Sequence, residues 1–188
     1  MGDFLAGPLM WFANRGTGVV LMVLLTASVV LGIVSTTRPS SGWWPRFLTQ
    51  GLHRNLSLLS TFMLVAHVIT AVVDEYVDIR WWQAFVPFGA TYEPLWMAVG
   101  ALSLDLIVAV VVTSLVRHRI PHRRWQLVHL MSYAAWALGI VHGLGIGTDS
   151  ATAWSRWLTV ACGAVVLFAT GVRVAARLNP AHSDAVSS

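Results

Sequence analysis

Four of the seven histidines fall into two pairs: His53 and His67, spaced by 14 residues, and His129 and His142, spaced by 13. Each pair lies in a long apolar stretch, residues 52–74 (LHRNLSLLSTFMLVAHVITAVVD) and 125–146 (WQLVHLMSYAAWALGIVHGLGI), with one histidine near the start and one near the end. Neutral imidazole is a ligand for first-row metals and haem iron, and an uncompensated polar ring is costly in lipid. At ~1.5 Å rise per residue, each pair spans roughly 20 Å of helix. Two matched pairs at matched depths predict two stacked sites, each a b-type haem held between the two stretches by one histidine from each. Haem bound through two imidazoles has both axial positions filled, which suits passing electrons rather than activating oxygen. The plain alternative is four packing histidines hydrogen-bonded inside a bundle. A second functional alternative is a metal-ion transporter or structural subunit that uses them as metal or hydrogen-bond ligands.

The elements that must position these residues are long and apolar. The chain is 56% hydrophobic and 11% charged, with mean hydropathy +0.69, which is a membrane composition. Five segments reach the ~20 mostly apolar residues needed to span: 12–34, 52–74, 95–116, 125–146 and 154–176. The expected fold is therefore an all-α membrane protein, a bundle of five transmembrane helices forming one domain over residues 1–188 with a polar tail at 179–188. The ten Trp suit bilayer interfaces. All twelve basic residues are arginine and fall mainly at helix ends, so the net charge of +4 reads as membrane orientation rather than nucleic-acid binding. The single cysteine, Cys162, excludes an internal disulfide, a four-cysteine zinc site and a cysteine-ligated iron–sulfur cluster, and reads as packing. No CxxCH is present for covalent haem attachment. Met1 to Asn14 contains no basic residue, unlike a cleavable signal peptide, and Ala6 stands where myristoylation wants Ser or Thr.

Charge in the connections predicts orientation. Arg38, Arg46 and Arg54, then Arg117, Arg119, Arg123 and Arg124, then Arg173 and Arg177 mark one side. The other carries Asp74, Glu75, Asp78 and Glu93 against Arg80, and Asp149 with Arg156. The basic side faces the cytoplasm, which puts the N-terminus outside and the C-terminus inside. The second and fourth helices then run parallel, with His53 and His129 near the cytoplasmic side and His67 and His142 toward the outside. A 14-residue step returns to within about 40° of one helix face, whereas 13 residues miss by about 140°. The fourth helix therefore needs a bend or altered winding, which Gly139 and Gly143 would allow; they would also admit a bulky planar ligand. No internal repeat is evident.

Further candidates surround the pairs. Arg15, in NRGTG, and Arg54 and Arg124, near the inner level, are candidate partners of haem propionates; their other role is orientation or interface anchoring. Gly16, Gly18 and Gly32 allow close approach of a haem or a neighbouring helix. Asp105 is an acid deep in a span, either a proton or quinol site or bonded to a buried partner. His118 and His122 lie in the arginine-rich RHRIPHRR connection and read as solvated; that connection would dock a flavoprotein or anionic lipid. Trp81, Trp82 and Phe85, in RWWQAFVPF, read as interface anchors or as lining for the outer haem edge.

The paired histidines, TQGLHRNLS opening the second helix and RRWQLVH opening the fourth, resemble the ferric reductase-like transmembrane domain family. That family includes ferric reductases, NADPH oxidases and the bacterial haem subunit serving a periplasmic methionine sulfoxide reductase. The resemblance covers residues 12–177 and accommodates the 13-residue step. It implies an inner haem on His53 and His129, an outer haem on His67 and His142, and transmembrane electron transfer to an extracytoplasmic acceptor. The chain departs from the larger relatives in having five spans rather than six. It also has no GxGxxG or dehydrogenase region after its last helix. The implied donor is therefore a separate flavoprotein or a membrane quinol, with flavin or quinone as further cofactors. The implied setting is a multi-pass protein of a bacterial inner or plasma membrane.

Overall fold

The computed structural model describes residues 8–37, 46–74 and 77–178. They form five long helices: α1 Pro8–Thr37, α2 Arg46–Val73, α3 Pro94–Leu115, α4 His122–Ile146 and α5 Ala153–Leu178. All five are long and apolar enough to cross a membrane. The helices outrun the expected spans most at α1 and at the start of α2. There the polar turn from Arg46 to Gly51 continues the helix ahead of the apolar stretch. Hydropathy measures the part of a helix that suits lipid, whereas backbone hydrogen bonding continues until a residue stops it. Pro94 opens α3 at a position where its missing N–H costs nothing, after Glu93 turns the chain through a left-handed φ of 39°. The tail 179–188, Arg38 and Glu75 lie outside the described residues.

The helices pack as two antiparallel hairpins, α1 on α2 and α3 on α4, with α1 also touching α4 and α5. Small polar groups join them. Ser28 and Ser57 hydroxyls meet at 2.7 Å between α1 and α2. The Ser103 hydroxyl donates to the Ala135 carbonyl at 2.8 Å between α3 and α4. The Trp136 indole donates to Thr26 at 3.0 Å, tying α4 to α1. Leu21, Leu64 and Leu104 form the apolar centre. The periphery is apolar too: Phe62 is 65% exposed and Phe168 73% exposed. An aqueous surface rarely carries so many large apolar side chains, and lipid contact accounts for them. Between α2 and α3 a cavity of about 350 Å³ is lined by apolar groups together with Trp81 and Phe85 of the connecting turn.

Candidate functional site

The structure brings the four histidines together in the two expected pairs. His53 and His129 face each other with ring centroids 6.1 Å apart and planes at 76°. His67 and His142 are close enough to interact electrostatically. The helices that carry them, α2 and α4, are not among the closely packed pairs. Two imidazoles sharing one first-row metal at bonds of about 2.0–2.1 Å stand with centroids roughly 6 Å apart.

The Nδ1 atom of every ring points away from its partner, to a flanking helix. His53 Nδ1 reaches the Ser28 carbonyl at 2.9 Å, and His67 Nδ1 the Asn14 carbonyl at 3.1 Å, both on α1. His142 Nδ1 reaches the Trp96 carbonyl on α3 at 2.8 Å. His129 Nδ1 meets the Ser114 hydroxyl on α3 at 3.5 Å. A carbonyl can only accept, so His53 and His142 carry their proton on Nδ1 and leave the Nε2 lone pair available to a metal, while His67 Nδ1 has the Asn14 side-chain amide nitrogen at 3.4 Å beside that carbonyl. Among the described residues no hydrogen bond engages any of the four Nε2 atoms, and no unpartnered side-chain nitrogen is sealed away from space.

Glycine makes these contacts possible. A Cβ on Gly32 would meet His53 Cε1 at 3.4 Å, one on Gly18 would meet His67 Cε1 at 3.2 Å, and one on Gly100 would meet His142 Cε1 at 2.6 Å. In each case the accepting carbonyl belongs to the residue four positions before the glycine: Ser28, Asn14 and Trp96. A helical side chain leans over the turn N-terminal to it, so a missing side chain uncovers that carbonyl. At the fourth place Ser114 replaces glycine and its own hydroxyl takes the ring nitrogen.

Gly18 and Gly32 are spaced by 14 residues, as are Gly100 and Ser114. Each hairpin thus carries a small-residue pair on its first helix and a histidine pair on its second. This is an internal repeat that the sequence alone did not reveal, because its two histidine spacings differ and one glycine is replaced by serine. α4 is α-helical without interruption from His122 to Ile146. Both of its rings are held on α3, at Ser114 and at the Trp96 carbonyl.

The other candidates divide. Arg15 is engaged by Asp149 in an ion pair, donates to Thr148 at 3.2 Å, and stacks over Trp11 at 4.5 Å. It closes α1 onto the α4–α5 connection. Arg54 and Arg124 are exposed, one residue after His53 and five before His129. Asp105 is partly exposed on α3 and has no hydrogen-bond or ion-pair partner among the described residues. A Cβ on Gly16 or Gly143 meets nothing within 4 Å. His118 and His122 are exposed, as expected. Sequence reasoning missed Trp125, whose ring stacks on His129 at 4.9 Å, and missed Gly100 and Ser114 as backing residues. Their 14-residue spacing was the available signal.

Among the described residues no group of three or more His, Cys, Asp or Glu gathers to hold a metal ion. A site built from protein ligands alone normally draws three or four. A pair of facing imidazoles instead suits a metal whose other positions are already filled, as in haem. The paired imidazoles, with Nδ1 held on a flanking helix and Nε2 unbonded among the described residues, fit haem.

A family model described as a domain of unknown function, DUF8596, matches residues 9–149. No curated protein and no solved structure matches the chain. With three quarters of its length matched, the chain belongs to the DUF8596 family.

Proposed function

We propose that this protein conducts electrons across a membrane through two b-type haems, His53 with His129 holding one and His67 with His142 the other. The observation that carries this reading is the shared setting of the four rings: each Nδ1 is held on a flanking helix and no hydrogen bond among the described residues engages Nε2. Haem bound in this way supplies reversible one-electron chemistry at iron. The chain's own residues hold the Nδ1 atoms of the rings, place the rings at two levels, and surround both levels with lipid-compatible helices. Arg54 and Arg124, near the His53–His129 level, are available to propionates; Arg15 serves the Asp149 ion pair. The resemblance of the TQGLHRNLS and RRWQLVH segments to the ferric reductase-like family supports the same reading. The donor is a separate cytoplasmic flavoprotein or a quinol, and the acceptor lies outside the membrane.

The arginine-rich ends of α2, α3, α4 and α5 set the cytoplasmic side, with the N-terminus outside, in a bacterial inner or plasma membrane. The test is haem content in the four single variants His53→Ala, His67→Ala, His129→Ala and His142→Ala. Each should retain about one haem where the parent holds two. Full haem content in all four variants would refute the ligand assignment.

A further inference from the structure

Between Asp105 and Asp149 every charged residue is an arginine, and all four lie within positions 117–124. Among the described residues none of these guanidinium groups forms an ion pair or donates a side-chain hydrogen bond. Here α3 ends at Leu115 and α4 begins at His122, so the cluster stands at the headgroup level of a membrane these helices span. A cavity of about 350 Å³ opens within it, lined by Arg117, His118, Ile120, His122 and Trp125.

One wall is fixed in advance. The Trp125 ring stacks on His122 at 5.5 Å and on His129 at 4.9 Å, and its indole N–H donates to Ser114 at 3.4 Å. Such a wall loses little freedom when a ligand arrives. The start of α4 lacks a side-chain cap, leaving backbone N–H donors for an anion beside the guanidinium and imidazole groups. We infer that this cavity binds a phosphate group, supplied by an anionic phospholipid headgroup or by a soluble phosphate ester. Guanidinium pairs with phosphate through two parallel hydrogen bonds. Ile120 and Trp125 receive the apolar part next to it, and a half-open cavity of about 350 Å³ suits a small group rather than a protein surface.

The test uses the full chain in neutral detergent, with bound lipid counted by native mass spectrometry. Phosphatidylglycerol should be retained in preference to phosphatidylcholine. Arg117→Gln should weaken retention about fivefold, as expected for one basic residue near an anionic headgroup. Arg156→Gln, at the opposite end of the bundle, should leave retention unchanged. Arg117 is exposed and unbonded, so its loss spares the fold, and the comparison of lipids needs no variant at all.

Competition by inorganic phosphate would assign the site to soluble esters as well; retention of lipid without competition would assign it to the headgroup. Equal retention of the two lipids, or an Arg117→Gln chain that binds like the parent, would overturn the inference. So would a chain that ignores both phosphate sources yet retains an acidic peptide. None of these readouts involves haem, so the outcome stands apart from the electron-transfer reading.

Discussion

At Gly100 an added methyl group would meet both Cε1 and Nδ1 of His142 at 2.6 Å, closer than the ring can accept without leaving its carbonyl on Trp96. Gly100→Ala should therefore expel His142 from its seat and remove the His67–His142 haem while the other stays. Gly16→Ala, where the new carbon meets nothing within 4 Å, should keep both. Haem per chain, measured as the pyridine complex, distinguishes the two; two haems in Gly100→Ala would contradict the role given to this glycine. Ser114 acts by its hydroxyl rather than by absence. Ser114→Ala takes the Nδ1 partner from His129 and the acceptor from Trp125. Loss of such a supporting partner typically costs about 10- to 100-fold in metal affinity. The expected result is faster haem loss to apomyoglobin from the His53–His129 level alone, and a rate equal to the parent's would contradict it.

The helices themselves were largely legible in the sequence, because a span announces itself through the summed hydropathy of some twenty residues. Their polar ends were not, as at Arg46–Gly51, where the helix continues ahead of the apolar stretch. The pairing of His53 with His129 was legible through matched depth. The fixing of the His53, His67 and His142 rings was not, since the acceptors are backbone carbonyls of Ser28, Asn14 and Trp96, which no side-chain pattern records. What the sequence did hold was the 14-residue spacing of Gly18 and Gly32 beside that of His53 and His67. In antiparallel helices equal spacing makes each glycine meet one histidine. Arg15 shows the reverse: it stood out in the sequence as a candidate partner of an anionic group, but its partner Asp149 lies far along the chain. The side chains of this pair are 27% and 16% exposed, so it should contribute on the order of 1 kcal/mol between α1 and the α4–α5 connection. A double-mutant cycle of Arg15→Gln and Asp149→Asn should return a coupling of that size with haem content unaltered. Zero coupling would remove this closure from the account.

The described residues present apolar surface outward and bring four imidazoles together in two pairs on α2 and α4. The proposed orientation, with the arginine-rich end in the cytoplasm, predicts that a reporter fused after α5 is active when it reports the cytoplasm and silent when it reports the outside. The opposite pattern would invert donor and acceptor sides without disturbing the sites. The account as a whole stands on the sites being filled by haem. Its most direct test is the dithionite-reduced minus oxidised absorption spectrum of the purified chain, produced with haem available and quantified against protein. The account predicts a b-type α-band and close to two haems per chain. A well-folded chain with no haem would contradict it and return the four histidines to packing or metal-ion binding.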